Sequence, residues 1–75
     1  MPHVLIQVYP GHTEGEKHAV AEGIAKVLIE KMGVKRAGIS VSVEEISERD
    51  WKEKVYDRNI AGSESNLYIA PDYVL

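Results

Sequence analysis

Proline at position 2, directly after the initiator methionine, is the residue whose type and place could do chemistry. Its small side chain predicts removal of Met1. The new N-terminus would then be a rigid secondary amine held at the head of a strand. At the mouth of an apolar pocket such an amine loses solvation of its charged form, and its pKa falls toward the range of a useful base. A base of this kind can take a proton from a carbon beside a carbonyl and return it elsewhere. Proline in second place is common for other reasons, so its weight depends on the rest of the chain.

Three further residues are candidates for substrate contact. His12 could hydrogen-bond or pair with an acidic substrate; its plainer reading is a solvated histidine ahead of a helix. Ser40 could donate to a substrate oxygen or simply belong to the polar side of a strand. Trp51 could wall the pocket and keep the amine dry, a role compatible with anchoring a short helix. Lys35-Arg36 offers positive charge to an anionic substrate, or a solvated turn. His3, His12 and His18 lack metal-ligand spacing and clustered carboxylates, so no metal site is expected. No Ser/His/Asp pattern points to a hydrolase.

The elements that must position these residues are set by periodicity. From His3 to Tyr9 the apolar Val4, Ile6 and Val8 alternate onto one face, which predicts a strand broken at Pro10-Gly11. Thr13 and Glu16 have capping-box spacing, and a helix is expected over 14–32, about 28 Å long. Val20, Ile24, Val27, Leu28 and Met32 form its apolar stripe, and Gly33 is its C-cap. A second strand is expected over Gly38–Ile46, with Ile39, Val41 and Val43 facing one way and Ser40, Ser42 and Glu44 the other. Strand, long helix and strand make a βαβ unit with parallel strands and a right-handed crossover. A short helix from Glu48 to Arg58 would put Trp51 and Val55 on one face, and a short extended segment is expected over Asn66–Ala70.

The 75 residues are expected to make a single domain, near the lower size limit for one core. There is no cysteine to staple it. Two parallel strands under one helix leave strand edges unpaired and one sheet face bare, whereas parallel sheets are covered on both faces. Pairing of two copies into a four-stranded sheet with both helices on one face is therefore expected. A formal net charge of −3 with interspersed signs leaves no basic stripe for nucleic acid. No apolar run is long enough for a membrane span, no signal peptide is expected, and the default compartment is the cytoplasm.

Taken in order, Met1-Pro2-His3 before an apolar strand, Gly11-His12-Thr13-Glu14 leading into the helix, Ile39-Ser40-Val41-Ser42-Val43-Glu44-Glu45-Ile46, and Trp51 resemble the 4-oxalocrotonate tautomerase family. The length, Trp51 and the tail Leu67-Tyr68-Ile69-Ala70-Pro71-Asp72-Tyr73 are most similar to its dimeric, phenylpyruvate-tautomerase-like branch. The resemblance spans essentially the whole chain. It implies a cofactor-independent isomerase in which Pro2 acts as base and then acid on 2-hydroxydienoate or arylpyruvate-type enols. It further implies a homodimer, with a hexamer as the larger assembly. The best-known members hold carboxylates with arginines where this chain reads Gly11-His12 and Ser40, neither of which is a bidentate clamp. The alternatives are a hydratase or dehalogenase of unsaturated acids on the same scaffold, or a catalytically silent oligomeric binding protein.

Overall fold

The computed structural model describes residues 1–75. The chain divides into two compact units, Met1–Glu45 and Ile46–Leu75.

The first unit is the βαβ unit. Strand β1 (His3–Val8) and strand β2 (Ser40–Glu45) pair in parallel, with His3 opposite Ser40 and Val8 opposite Glu45. Each strand is slightly shorter than its apolar pattern suggests: Tyr9 and Ile39 lie just outside the paired residues. Between the strands runs helix α1 (Glu14–Met32), with the bounds its capping signals dictate. Thr13 Oγ1 accepts from the Glu16 N–H at 3.0 Å, and Glu16 Oε1 accepts from the Thr13 N–H at 2.8 Å. At the other end Gly33 adopts φ 67°, and its N–H closes onto Ile29 O. Left-handed backbone is where glycine is favoured, since a β-carbon would crowd the carbonyl.

Helix α1 packs on β2 through only part of the stripe its large residues outline: Ile24 and Leu28 are covered and the other three are not. Val20, Val27 and Met32 stay 47%, 51% and 66% exposed. The covered face is Lys17, Ala21, Ile24, Ala25 and Leu28, with Ala25 buried, so it is turned toward the small residues while keeping Ile24 and Leu28. Small side chains at 21 and 25 let the helix backbone approach the valines of the sheet, and this outweighs the pull of Val20 and Val27 on the flank. The opposite sheet face is polar, apart from Leu5, and carries cross-strand pairs: Gln7 Nε2 donates to Glu44 Oε1 at 2.8 Å. Such pairs hold register on an open face.

The second unit opens with Ser47, whose hydroxyl accepts from the Asp50 N–H at 3.3 Å and caps helix α2 (Glu48–Trp51). From Lys52 to Ile60 the winding loosens to the π form, and the Ala61 N–H reaches back to Tyr56 O at 2.8 Å. The short helix expected over Glu48 to Arg58 is present, but its winding changes after Trp51 and it runs on to Ile60. With i→i+5 winding, Lys52 and Asp57 meet as an ion pair at 3.1 Å. Ile46 and Val55 are the buried apolar residues of this unit. After the short 3₁₀ turn Glu64–Asn66 the chain pairs with no strand, and Tyr68 and Ile69 are almost fully exposed.

Candidate functional site

Pro2 is held by the sheet it precedes. Its carbonyl accepts from the Ser40 N–H at 3.1 Å, which extends the parallel ladder one step beyond His3 and fixes Pro2 against the start of β2. The turn before β2, Arg36–Gly38, is closed by Gly38 N–H to Lys35 O and Ile39 N–H to Arg36 O, each at 3.0 Å. Gly38 faces Met1 closely: a β-carbon there would lie 3.5 Å from Met1 Cα. Pro2, Gly38 and Ser40 thus gather at one end of the sheet.

Ser40 is already partnered. Its hydroxyl shares a 2.7 Å hydrogen bond with His3 Nδ1 on the open sheet face. The parallel register creates this pair by setting His3 opposite Ser40. His3 has no functional reading in the sequence, and only the register reveals the link.

His12 lies past the other end of β1. Six residues of strand separate it from Pro2, a rise of about 20 Å. Within one chain these two candidates do not meet. Around His12 the charges are dense: its Nδ1 is 3.8 Å from Glu16 Oε1. The Thr13 backbone N–H holds the Glu16 carboxyl below the ordinary glutamate range. Lys17, to which its place in the sequence gives no role, contacts Glu14 Oε2 at 3.2 Å and Glu45 Oε1 at 3.3 Å, and both push its pKa up. Glu45 also accepts the Gly11 N–H at 3.3 Å. Beside His12 an apolar groove runs between Ile6, Val8, Val20 and Val43, with the Lys17 stem as part of its wall. Three carboxylates against one ammonium give this end of the sheet negative character, the reverse of an arginine clamp.

At the Pro2 end Arg36 is spoken for as well. Arg36 makes a bidentate pair with Glu22 at 2.8 and 2.9 Å, which holds the Glu22 carboxyl low and the guanidinium pKa high.

In the second unit Trp51 is half-buried and its Nε1–H donates to the Tyr73 hydroxyl at 3.0 Å. The Tyr73 ring lies 5.8 Å from that of Tyr56, tilted by 37°. By sequence alone, Tyr56, Tyr68 and Tyr73 could line either a pocket or a dimer contact; Tyr68 joins neither ring here and is almost fully exposed. No helix is long and apolar enough to cross a membrane.

A βαβ unit led by proline, with one helix over one face of a parallel pair, is the subunit plan of a class of small α/β isomerases. Comparison with known proteins identifies the family. The model of the tautomerase enzyme family matches residues 2–53. The chain is 35% identical over 74 residues to tautomerase PptA of Enterobacter sp. (strain 638), a match covering 97% of each. Among solved structures, TomN, a 4-oxalocrotonate tautomerase homologue in the tomaymycin biosynthetic pathway, has the same fold. Its TM-score is 0.64 at 24% identity, covering 67% of this chain and 77% of that one. A structure determined for trans-3-chloroacrylic acid dehalogenase activity matches with TM-score 0.62 at 26% identity, over 65% of this chain and 92% of the other. The chain belongs to the tautomerase family, within the 4-oxalocrotonate tautomerase group, and is an isomerase of the tautomerase type.

Proposed function

We propose that this tautomerase acts in the cytoplasm on 2-hydroxydienoate or arylpyruvate-type enols, with the Pro2 amine as its proton carrier once Met1 has been removed. The observation that carries this reading is the bond from Ser40 N–H to Pro2 O. It anchors the proline carbonyl to the sheet, so a free nitrogen on the same residue would have a fixed position. In the step itself, the free amine takes the proton of the substrate's 2-hydroxyl as the carbonyl forms. The resulting ammonium then delivers a proton to the substrate carbon that the enol's π electrons reach. The amine is regenerated, atoms balance, and nothing is oxidised or reduced. While Met1 remains, the Pro2 nitrogen is an amide without a basic lone pair and this route is closed.

Ser40 and Trp51 are assigned to substrate contact in this reading, and so is His12, supplied by a second copy. Two features support the pairing of copies. Within one chain His12 and Pro2 stand at opposite ends of β1, and an antiparallel partner strand would bring the far end of one copy to the near end of the other. The sheet also has only two strands, and Leu5 and Tyr9 are 49% and 44% exposed. A homodimer with a four-stranded sheet answers both, and three such dimers would make a hexamer.

The test is intact mass together with enol ketonisation of phenylenolpyruvate and 2-hydroxymuconate. The Met1-free chain should turn over at least one of them, and a chain extended before Pro2 should not. Full turnover by the extended chain would refute the assignment of Pro2. A second reading, hydration or dehalogenation of unsaturated acids, is favoured by the likeness to the trans-3-chloroacrylic acid dehalogenase structure. Chloride release from 3-chloroacrylate would support it.

A further inference from the structure

Gly38 has no conformational need to be glycine. The backbone positions with positive φ are Gly11, Gly33 and Gly62, and Gly38 is not one of them. Its turn is closed by ordinary backbone hydrogen bonds on both sides. What distinguishes it is the neighbour it faces: a β-carbon at 38 would lie 3.5 Å from Met1 Cα, 3.7 Å from Met1 N and 3.9 Å from Met1 Cγ. Those distances are ordinary van der Waals contact, so a side chain here is tolerable for the fold. Its β-carbon would border the volume that Met1 fills, and atoms beyond the β-carbon would narrow it.

Met1 occupies the space directly before the Pro2 nitrogen, because its carbonyl carbon is bonded to that nitrogen. A reacting atom must come within about 3–3.5 Å of the base, so it must enter the same volume once Met1 is gone. We propose that Gly38 is a specificity-determining residue, whose missing side chain keeps open the space in which the substrate carbon meets the Pro2 amine. The proposal rests on the reading of Pro2 as the proton carrier. Bulk at 38 then discriminates by substrate size: a compact dienol still fits beside a methyl group, and an aryl group next to the reacting carbon does not.

The experiment compares wild type, Gly38→Ala and Gly38→Val on 2-hydroxypenta-2,4-dienoate and on phenylenolpyruvate. Gly23→Ala serves as control, since a β-carbon at 23 meets nothing within 4 Å. Circular dichroism and intact mass establish that each variant is folded and lacks Met1. The expected result is a graded loss in kcat/KM on phenylenolpyruvate, about ten-fold or more for Gly38→Val and less for Gly38→Ala. The loss on the dienol should stay within about three-fold, and Gly23→Ala should match wild type. Equal losses on both probes in a folded variant, or retention of both by Gly38→Val, would overturn the proposal. Should Gly38→Val not fold, the same ratio is read from Gly38→Ala. The chain extended before Pro2 separates the two readings. If it is active, the Pro2 assignment falls; if it is inactive while Gly38→Val keeps wild-type ratios, only the role of Gly38 falls.

Discussion

The indole N–H of Trp51 donates to the Tyr73 hydroxyl at 3.0 Å, tying the end of helix α2 to the C-terminal tail across 22 residues of sequence. The link holds a half-buried aromatic by a polar tip, the arrangement in which a tryptophan is both packed and directed. Tyr73→Phe keeps the ring against Tyr56 and removes only the acceptor. It should lower stability by about 0.5–1.5 kcal/mol and shift the emission of the single tryptophan. An unchanged denaturation midpoint and spectrum would show that the bond carries no weight in solution.

The pair formed by His3 and Ser40 gives a prediction about substrate. Ser40 Oγ is engaged by His3 at 2.7 Å on an exposed face, so its loss should leave stability within about 0.5 kcal/mol. If the hydroxyl also reaches a substrate oxygen, Ser40→Ala should raise KM about two- to ten-fold with kcat nearly unchanged, the signature of lost uniform binding. A fall in kcat with KM constant would instead place Ser40 at the transition state.

Much of this fold is legible because its signals are local. Thr13 with Glu16 and Gly33 bound α1 at both ends through backbone groups within a few residues of each other. The period of two in Val4, Ile6 and Val8 survives into the sheet. The buried face of α1 is legible only in part: Ile24 and Leu28 lie on it as their spacing suggests, and Ala21 and Ala25 give no such signal. Val20 and Val27 are larger than Ala21 and Ala25, and a reading by hydrophobicity chooses them, while close approach of helix to sheet selects the small residues. The π winding after Trp51 also escapes, because two apolar residues at i,i+4 cannot report a change of period. Of the candidate site, Pro2 is legible from type and place. The partners of Ser40 and Trp51 depend on strand register and on the return of the tail. Gly38 gives no signal at all until Met1 is seen beside it.

Acid should weaken the fold, and the sign comes from three carboxylates. Glu16 is held low by the Thr13 backbone N–H, Glu22 by Arg36, and Asp50 by Ser47 and Lys54. A depressed folded-state pKa means the unfolded chain binds more protons in that window. The stabilisation is full above the ordinary carboxylate values of 4.5 and 3.8, and it fades as pH falls through the lower folded values. Urea midpoints at pH 6 and pH 3 should show the loss. Carboxyl NMR should find Glu22 titrating below 4.5 in wild type and moving up in Arg36→Gln. A Glu22 titration indifferent to Arg36 would mean the bidentate pair does not persist in solution, as exposed ion pairs sometimes do not.

Two glycines of one helix should respond to alanine with opposite sign. Gly23 lies inside α1, where a β-carbon meets nothing within 4 Å and the backbone is helical. Gly23→Ala removes unfolded-state freedom without strain and should stabilise by about 0.5–1 kcal/mol. Gly33 also has open space around its missing β-carbon, yet its φ is 67°. Space is therefore not the constraint there. Gly33→Ala must either hold a left-handed alanine, at about 1–2 kcal/mol, or give up the C-cap bond to Ile29 O. Thermal or chemical denaturation of the two variants decides the matter. Stabilisation by both would show that the cap at Gly33 is frayed in solution, and destabilisation by both would show that Gly23 is packed against a surface that one chain alone does not contain.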